Sequence, residues 1–258
     1  MKIGLIGQGA IARYVTEALT PGVHEVVAVL LRPERTQENN PLEFGSVDAL
    51  PAQMDVMIDC AGHEALAAYG PPLLARGTDV ITVSLGALAD DATAQSLEDA
   101  AKAGRSKLHL ASGAIGALDC LRAARVGTLD AVTYVGRKPP QGWIGSPAEH
   151  VLDLAGLTDG AHTHFEGTAR EAALAYPKNA NVAAAVALAG LGFDDTRVQL
   201  IADANVSHNI HEVTASGDFG SFQFQISGKA LPDNPRSSAL AAMSVVAKLE
   251  QLSAAVSL

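Results

Sequence analysis

The sequence predicts an α/β chain: an N-terminal doubly wound parallel sheet, a second α+β domain, and a C-terminal helix returning to the first domain. Three observations carry this. The apolar run Ile3 to Ile6 leads straight into Gly7-Gln8-Gly9-Ala10-Ile11-Ala12. The first 110 residues then alternate short apolar runs with helical patterns, the rhythm of βαβ units. After Ser112 the rhythm gives way to segments that alternate at period two, as half-buried strands do.

Each element follows from its own residues. The first strand opens a helix that begins near Ala10 and runs to Leu19. Glu25 to Leu31 is apolar almost throughout, so it reads as a parallel strand buried on both faces. Asp55 to Cys60 is the next strand, followed by a helix from about Glu64 to Arg76 that Gly77 stops. Asp79 to Ser84 and Lys107 to Ala111 read as strands flanking a helix from Thr93 to Ala103 that ends at Gly104. In the second half, residues 129–138 and 163–170 read as strands, and Asn205 to Gly228 as a hairpin turning at Ser216-Gly217-Asp218. Asn181 to Ala189 is an Ala-rich buried helix, and Ser237 to Ser253 a last helix. The expected domains are residues 1–110, 111–231 and the helical return 232–258.

Bulk properties narrow the function classes. The chain has 258 residues, 48% apolar and 18% charged, which is an ordinary globular composition. A net charge of −10 with no basic stripe argues against nucleic acid as a partner. Cys60 and Cys120 lie far apart, without the spacing of a disulfide framework or zinc ribbon, and read as small buried residues. Met1-Lys2 leads directly into a strand, leaving no room for a signal peptide, and no apolar run approaches the roughly 18 residues of a membrane span. A cytoplasmic protein is expected.

The opening turn carries the first functional signal. Gly7 permits the tight exit from the strand, Gly9 lets backbone approach a pyrophosphate, and Ala12 lets the helix pack closely on the sheet. The phosphates would rest on the free N–H groups at Ala10 and Ile11 and on the positive end of the helix dipole. An NAD-specific site places Asp or Glu at the end of the second strand. Here Leu31 stands there and Arg32 follows, a cation suited to a 2′-phosphate, so the expected cofactor is NAD or NADP. A solvated loop charge is the competing account of Arg32.

Four further segments stand out: Ser112 to Asp119 (Ser-Gly-Ala-Ile-Gly-Ala-Leu-Asp), Tyr176-Pro177-Lys178-Asn179-Ala180-Asn181-Val182, His208-Asn209-Ile210-His211-Glu212, and Asn234-Pro235-Arg236-Ser237-Ser238. With Gly-Gln-Gly-Ala-Ile-Ala at the start and Ser84-Leu85-Gly86-Ala87-Leu88 mid-chain, this ordered set resembles the L-aspartate dehydrogenase family over nearly the whole length. The resemblance implies a Rossmann domain, a catalytic α+β domain, and oxidation of L-aspartate to iminoaspartate with NAD or NADP. It also implies the reverse amination of oxaloacetate and a role in NAD biosynthesis. The family's Asn-x-His-Glu motif maps onto Asn209-Ile210-His211-Glu212 and makes His211 the catalytic residue. Cofactor contacts map onto Ala114 and Asn181. Others fall at Cys60 and Ala61, where the family carries Ser rather than Gly62-His63 after the strand.

The residue types suit that chemistry independently. Histidine is the side chain best matched to proton transfer near neutral pH. A substrate with two carboxylates needs fixed donors, for which Lys178, Asn209, Arg236, Ser237 and Ser238 are candidates. The last three stand at the start of the final helix, where free N–H groups favour an anion and where Ser237 equally suits a helix cap. His162, His164, His208 and His211 lack the spacing of a zinc motif, so no metal is expected, and His162 and His164 read as solvated or hydrogen-bonded strand residues. His208 and His211 would face opposite sides of one strand. The partner is a small molecule, and a homodimer is expected through the Ala-rich helices or the second sheet. Two rivals stay open: another two-domain reductase, such as a dihydrodipicolinate reductase or homoserine-type dehydrogenase, and a non-catalytic dinucleotide sensor.

Overall fold

A computed structural model describes residues 1–19, 22–37, 39–177, 179–232 and 234–256, the side chains of Pro235 and Arg236 excepted. The chain divides into two compact units, Met1–Ala111 with Ala241–Leu258, and Ser112–Leu240.

The first unit is built on six strands: β1 (Lys2–Ile6), β2 (Glu25–Leu30), β3 (Glu43–Phe44), β4 (Val56–Asp59), β5 (Asp79–Thr82) and β6 (Leu108–Leu110). All pair in parallel, in the order β3-β2-β1-β4-β5-β6. This is the doubly wound order, whose topological switch lies between β1 and β4. Helices α1 (Ala10–Ala18), α2 (His63–Ala75) and α3 (Asp91–Gly104) connect the strands. Alternate strand residues serve opposite faces. Ile3, Leu5, Val56, Ile58 and Ile81 pack with Ala12 and Val15 of α1, whereas Ile6, Leu30, Met57 and Val80 pack with Leu66, Leu73 and Leu74 of α2 and Leu97 of α3. The α1 face is completed by Val245 and Leu249 of the last helix, α7 (Ala239–Ser253), so the chain's end does return to the first sheet.

Two helix ends show how local chemistry sets boundaries. Gly77, at φ +87°, donates to Leu74 O (2.9 Å) while Thr78 donates to Leu73 O (3.1 Å), the paired bonds of a Schellman stop. Gly104, expected to end α3 in the same way, is instead its last helical residue, and Arg105 takes the left-handed turn at φ +54°. Gly104 is needed for space: a Cβ there would run into the backbone of Leu74 and Ala75.

The second unit carries α4 (Leu118–Ala124), β7 (Leu129–Lys138), β8 (Ala161–Thr168), α5 (Ala169–Ala175), α6 (Asn181–Ala189), β9 (Arg197–Asp203), β10 (Asn209–Gly217) and β11 (Gly220–Gly228). The five strands form one mixed sheet, β11-β10-β7-β9-β8, in which only β7 and β9 run parallel. Helix α6 is buried along Val182–Ala187. Several elements depart from expectation. The strand read as residues 163–170 ends at Thr168, because Thr168 and Glu171 form a capping box that starts α5. Strand β9 and helices α4 and α5 were not anticipated. And Ser237 and Ser238, expected to open the last helix, lie before it. They end β13 (Asn234–Ser238), paired antiparallel with β12 (Ala230–Leu231), and this ribbon holds them extended until Ala239 donates to Lys229 O (2.9 Å). Among the described residues no helix is long and apolar enough to cross a membrane.

Candidate active site

The first unit contributes a groove of about 550 Å³ at the carboxyl ends of β1, β2 and β4. Gly7 takes φ +86° and donates to Leu30 O (2.9 Å), and a Cβ there would meet Ala61 Cβ at 3.0 Å. Gly9, which lines the groove, caps α1 with extended backbone and no side-chain bond, so no side chain covers the positive end of that helix. Of the anticipated cofactor residues, Gly7, Gly9, Arg32, Cys60 and Ala61 line the groove. Ala10, Ile11 and Ala12 form the first turn of α1, with Ala12 buried against the sheet. These residues fit a dinucleotide phosphate: the turn is shaped by glycine, and no protein side chain crowds Gly9. Arg35, Glu64 and Tyr69 also line the groove and were not anticipated.

The opposite wall is braced by Asp59, the fully buried last residue of β4. Its Oδ1 accepts from the Ala61 and Gly62 N–H groups (3.0 and 3.3 Å), and its Oδ2 from the hydroxyls of Thr82 (2.7 Å) and Ser84 (2.6 Å). Burial pushes its carboxyl above the ordinary carboxylate range, and these four donors pull it back. Burial also pushes up the thiol of Cys60, whereas Cys120 is exposed, contrary to expectation, because Leu121 and Ala124 supply the inward face of α4.

The second unit holds a histidine–lysine cluster, with His211 buried and Lys138 half-buried. His211 lies on β10 between β7 and β11, opposite Gly136 and Ile226, and is 4% exposed. Its Nδ1 is 2.8 Å from the Tyr134 hydroxyl. Gly136 makes this bond possible, since a Cβ there would lie 2.7 Å from that hydroxyl. Lys138 ends β7. Its Nζ donates to Asn179 Oδ1 (2.7 Å) and lies 4.8 Å from the centre of the Trp143 ring. Burial lowers Lys138 to about 8, and burial plus the Lys138 charge lowers His211 to about 4. His211 is therefore a neutral base at physiological pH, beside an amine that is still largely charged. Tyr134, pushed upward by burial, stays a phenol.

The other candidates are placed unequally. Lys178 lies outside the described residues, as does the side chain of Arg236. Asn209 opens β10 opposite Gly228, and a Cβ on that glycine would have Asn209 O at 3.7 Å and Ser238 Oγ at 4.0 Å. Ser238 Oγ is buried without a hydrogen-bond partner among the described residues, whereas Ser237 Oγ accepts from Asn234 Nδ2 (3.1 Å). Helix α7 begins at Ala239, so Ser237 stands two residues before it rather than inside its first turn. Asn181 is the first residue of α6, and Ala114 is buried in the turn before α4. His208 precedes β10 and bonds Ser207 Oγ (2.8 Å). His162 is exposed but His164 is buried, edge-on to Trp143 (4.4 Å) and bonded to the Tyr176 hydroxyl (3.2 Å), because a register shift between Thr163 and Phe165 separates the two. Among the described residues no three His, Cys, Asp or Glu side chains are grouped to hold a metal.

Comparison with known proteins covers both units. Residues 119–252 match the family model "Aspartate dehydrogenase, C-terminal", and residues 7–111 match "Homoserine dehydrogenase, NAD binding domain". The chain is 56% identical over 260 residues to the L-aspartate dehydrogenase of Ruegeria pomeroyi, covering 99% of this chain and 94% of that one. It is 46% identical to the L-aspartate dehydrogenase of Cupriavidus taiwanensis over the full length of both. The crystal structure of aspartate dehydrogenase from Thermotoga maritima superposes with a TM-score of 0.79 at 26% identity, covering 100% of this chain and 99% of that one. A dinucleotide groove in one unit, a histidine–lysine cluster in the other, and relatives that match both from end to end lead to one assignment: the chain belongs to the L-aspartate dehydrogenase family.

Proposed function

We propose that this chain oxidises L-aspartate to iminoaspartate, with NAD(P) as acceptor, and that His211 is its acid–base residue. The observation that carries the reading is His211 itself: a buried, neutral imidazole, anchored through Nδ1 to Tyr134 and within the electrostatic reach of a half-buried lysine. With Nδ1–H donating to the Tyr134 oxygen, Nε2 presents its lone pair and takes a proton from the substrate ammonium group. The bound nicotinamide supplies the acceptor for the hydride that leaves Cα. Lys138 binds a substrate carboxylate as a charged partner, and that carboxylate stabilises the lysine's charge in turn. Asn181 opens α6 two residues after Asn179, so the positive end of that helix dipole favours an anion near Lys138. Hydrolysis of the imine yields oxaloacetate and ammonia. The reverse amination uses the same groups with the proton flow inverted, and iminoaspartate is a precursor suited to NAD biosynthesis.

Appearance of the reduced-nicotinamide absorbance with L-aspartate and NAD or NADP tests this directly. His211→Ala is expected to lower turnover by roughly 10²–10⁴-fold, while dinucleotide affinity stays within a few-fold. No aspartate-dependent signal from a protein that binds the cofactor overturns the reading in favour of a sensor. Turnover of homoserine in its place points to a homoserine-type dehydrogenase.

A further inference from the structure

We propose that the groove at the end of β2 is a 2′-phosphate site, formed by Arg32 and Arg35, and that this chain prefers NADP(H) to NAD(H). The proposal rests on dinucleotide binding at the Gly7–Ala12 turn and adds the identity of the adenosine end.

Three observations carry it. First, Leu31, 4% exposed, occupies the position after β2 where a carboxylate would accept bonds from a ribose 2′-hydroxyl. Its side chain accepts nothing. Second, residues Pro33–Arg35 form a 3₁₀ turn closed by the Arg35 N–H on Arg32 O (2.8 Å). Arg32 is the extended residue that caps this turn and Arg35 is its last residue, so the bond between them holds their backbones together. Both line the groove and Glu34 between them does not. Two guanidiniums in one groove match the oxygens of a phosphate dianion, whereas a 2′-hydroxyl leaves their charge uncompensated.

Third, among the described residues lining the groove the single carboxylate is Glu64, in the first turn of α2. It lies 3.9 Å from Arg32, with side chains 62% (Arg32) and 95% (Glu64) exposed. A pair so exposed is weak, and an incoming phosphate displaces it. Glu64 repels that phosphate and so tempers the preference for NADP(H) without abolishing it.

Titration of the full chain with NADPH and NADH, followed by reduced-nicotinamide fluorescence, tests the assignment without turnover. NADPH is expected to bind about tenfold or more tightly than NADH, as a charge-assisted contact permits, with the gap narrowing as salt rises. Arg35→Ala, at an exposed position, should weaken NADPH about tenfold and NADH less than threefold. Glu64→Gln should tighten NADPH and leave NADH unchanged. Adenosine 2′,5′-bisphosphate should compete, and adenosine 5′-monophosphate should do so far less well. Equal binding of NADH and NADPH, or an equal loss of both in Arg35→Ala, overturns the 2′-phosphate site. Binding of neither cofactor overturns the dinucleotide reading beneath it.

Discussion

At the scale of single residues, the histidine–lysine cluster is made by one absent side chain and one half-buried charge. Gly136 leaves the space through which the Tyr134 hydroxyl reaches His211. Lys138, lowered to about 8, is charged below that pH and neutral above it. Affinity for a dicarboxylate should therefore be highest below about pH 8 and fall as pH rises through it. Succinate is the better probe than aspartate, because it carries no amine that titrates in the same range. A plot of succinate affinity against pH should show that limb, and Lys138→Met should weaken succinate and flatten the plot. An unchanged limb in the variant would take Lys138 out of carboxylate binding. His211 was legible in the sequence through its Asn-x-His-Glu setting. Lys138 was not, because it lies at the end of a strand whose pairing with β10 is a long-range fact. Lys178, the more conspicuous lysine in sequence, lies outside the described residues, and its neighbour Asn179 bonds Lys138.

Secondary-structure elements place these residues. Alternation along β10 buries His211, Val213 and Ala215 and leaves Glu212 partly exposed, as period-two patterning dictates. The boundaries that sequence reading missed were set by specific bonds. Thr-Ala-Arg-Glu at 168–171 is a capping-box sequence, and it ended a strand that apolar pattern alone would have extended. Thr168→Ala removes that cap and should cost about 1 kcal/mol, a fall of roughly 2–4 °C in the melting temperature of a protein this size. Differential scanning calorimetry measures it, and a melting point unchanged within error would show that α5 does not depend on the box. The ribbon of β12 and β13 is a different case. Its residues carry a Pro and two Ser before an Ala-rich run, which reads locally as a helix start, and only pairing across the chain reversal holds them extended.

At the scale of the whole molecule, burial of ionisable groups links stability to pH. His164 and His211 are each lowered to about 4, from an ordinary value of 6.5. Between those values the unfolded chain binds more protons at both sites than the folded chain, so stability rises with pH across the window and is lost as pH falls. His24 is shifted in the same direction; Asp59, raised by burial, opposes it, two strongly shifted histidines against one carboxyl. Thermal melts from pH 4.5 to 7.5 should show the melting temperature climbing to a plateau above about pH 6.5, and a flat profile would contradict neutral burial of these histidines. By itself, the sequence determined what rests on local pattern. The Gly7–Ala12 turn, the doubly wound first sheet, the hairpin carrying His211 and the returning helix all follow from period, glycine placement and motif order. Tertiary structure decided what depends on pairing between distant strands: that Tyr134 and Lys138 join His211, that His164 is buried while His162 is not, and that residues 234–238 are extended. The physical reason is the same throughout. Backbone conformation and burial pattern are encoded over a few neighbouring residues, whereas register across a sheet is a property of two segments at once, and neither one carries it alone.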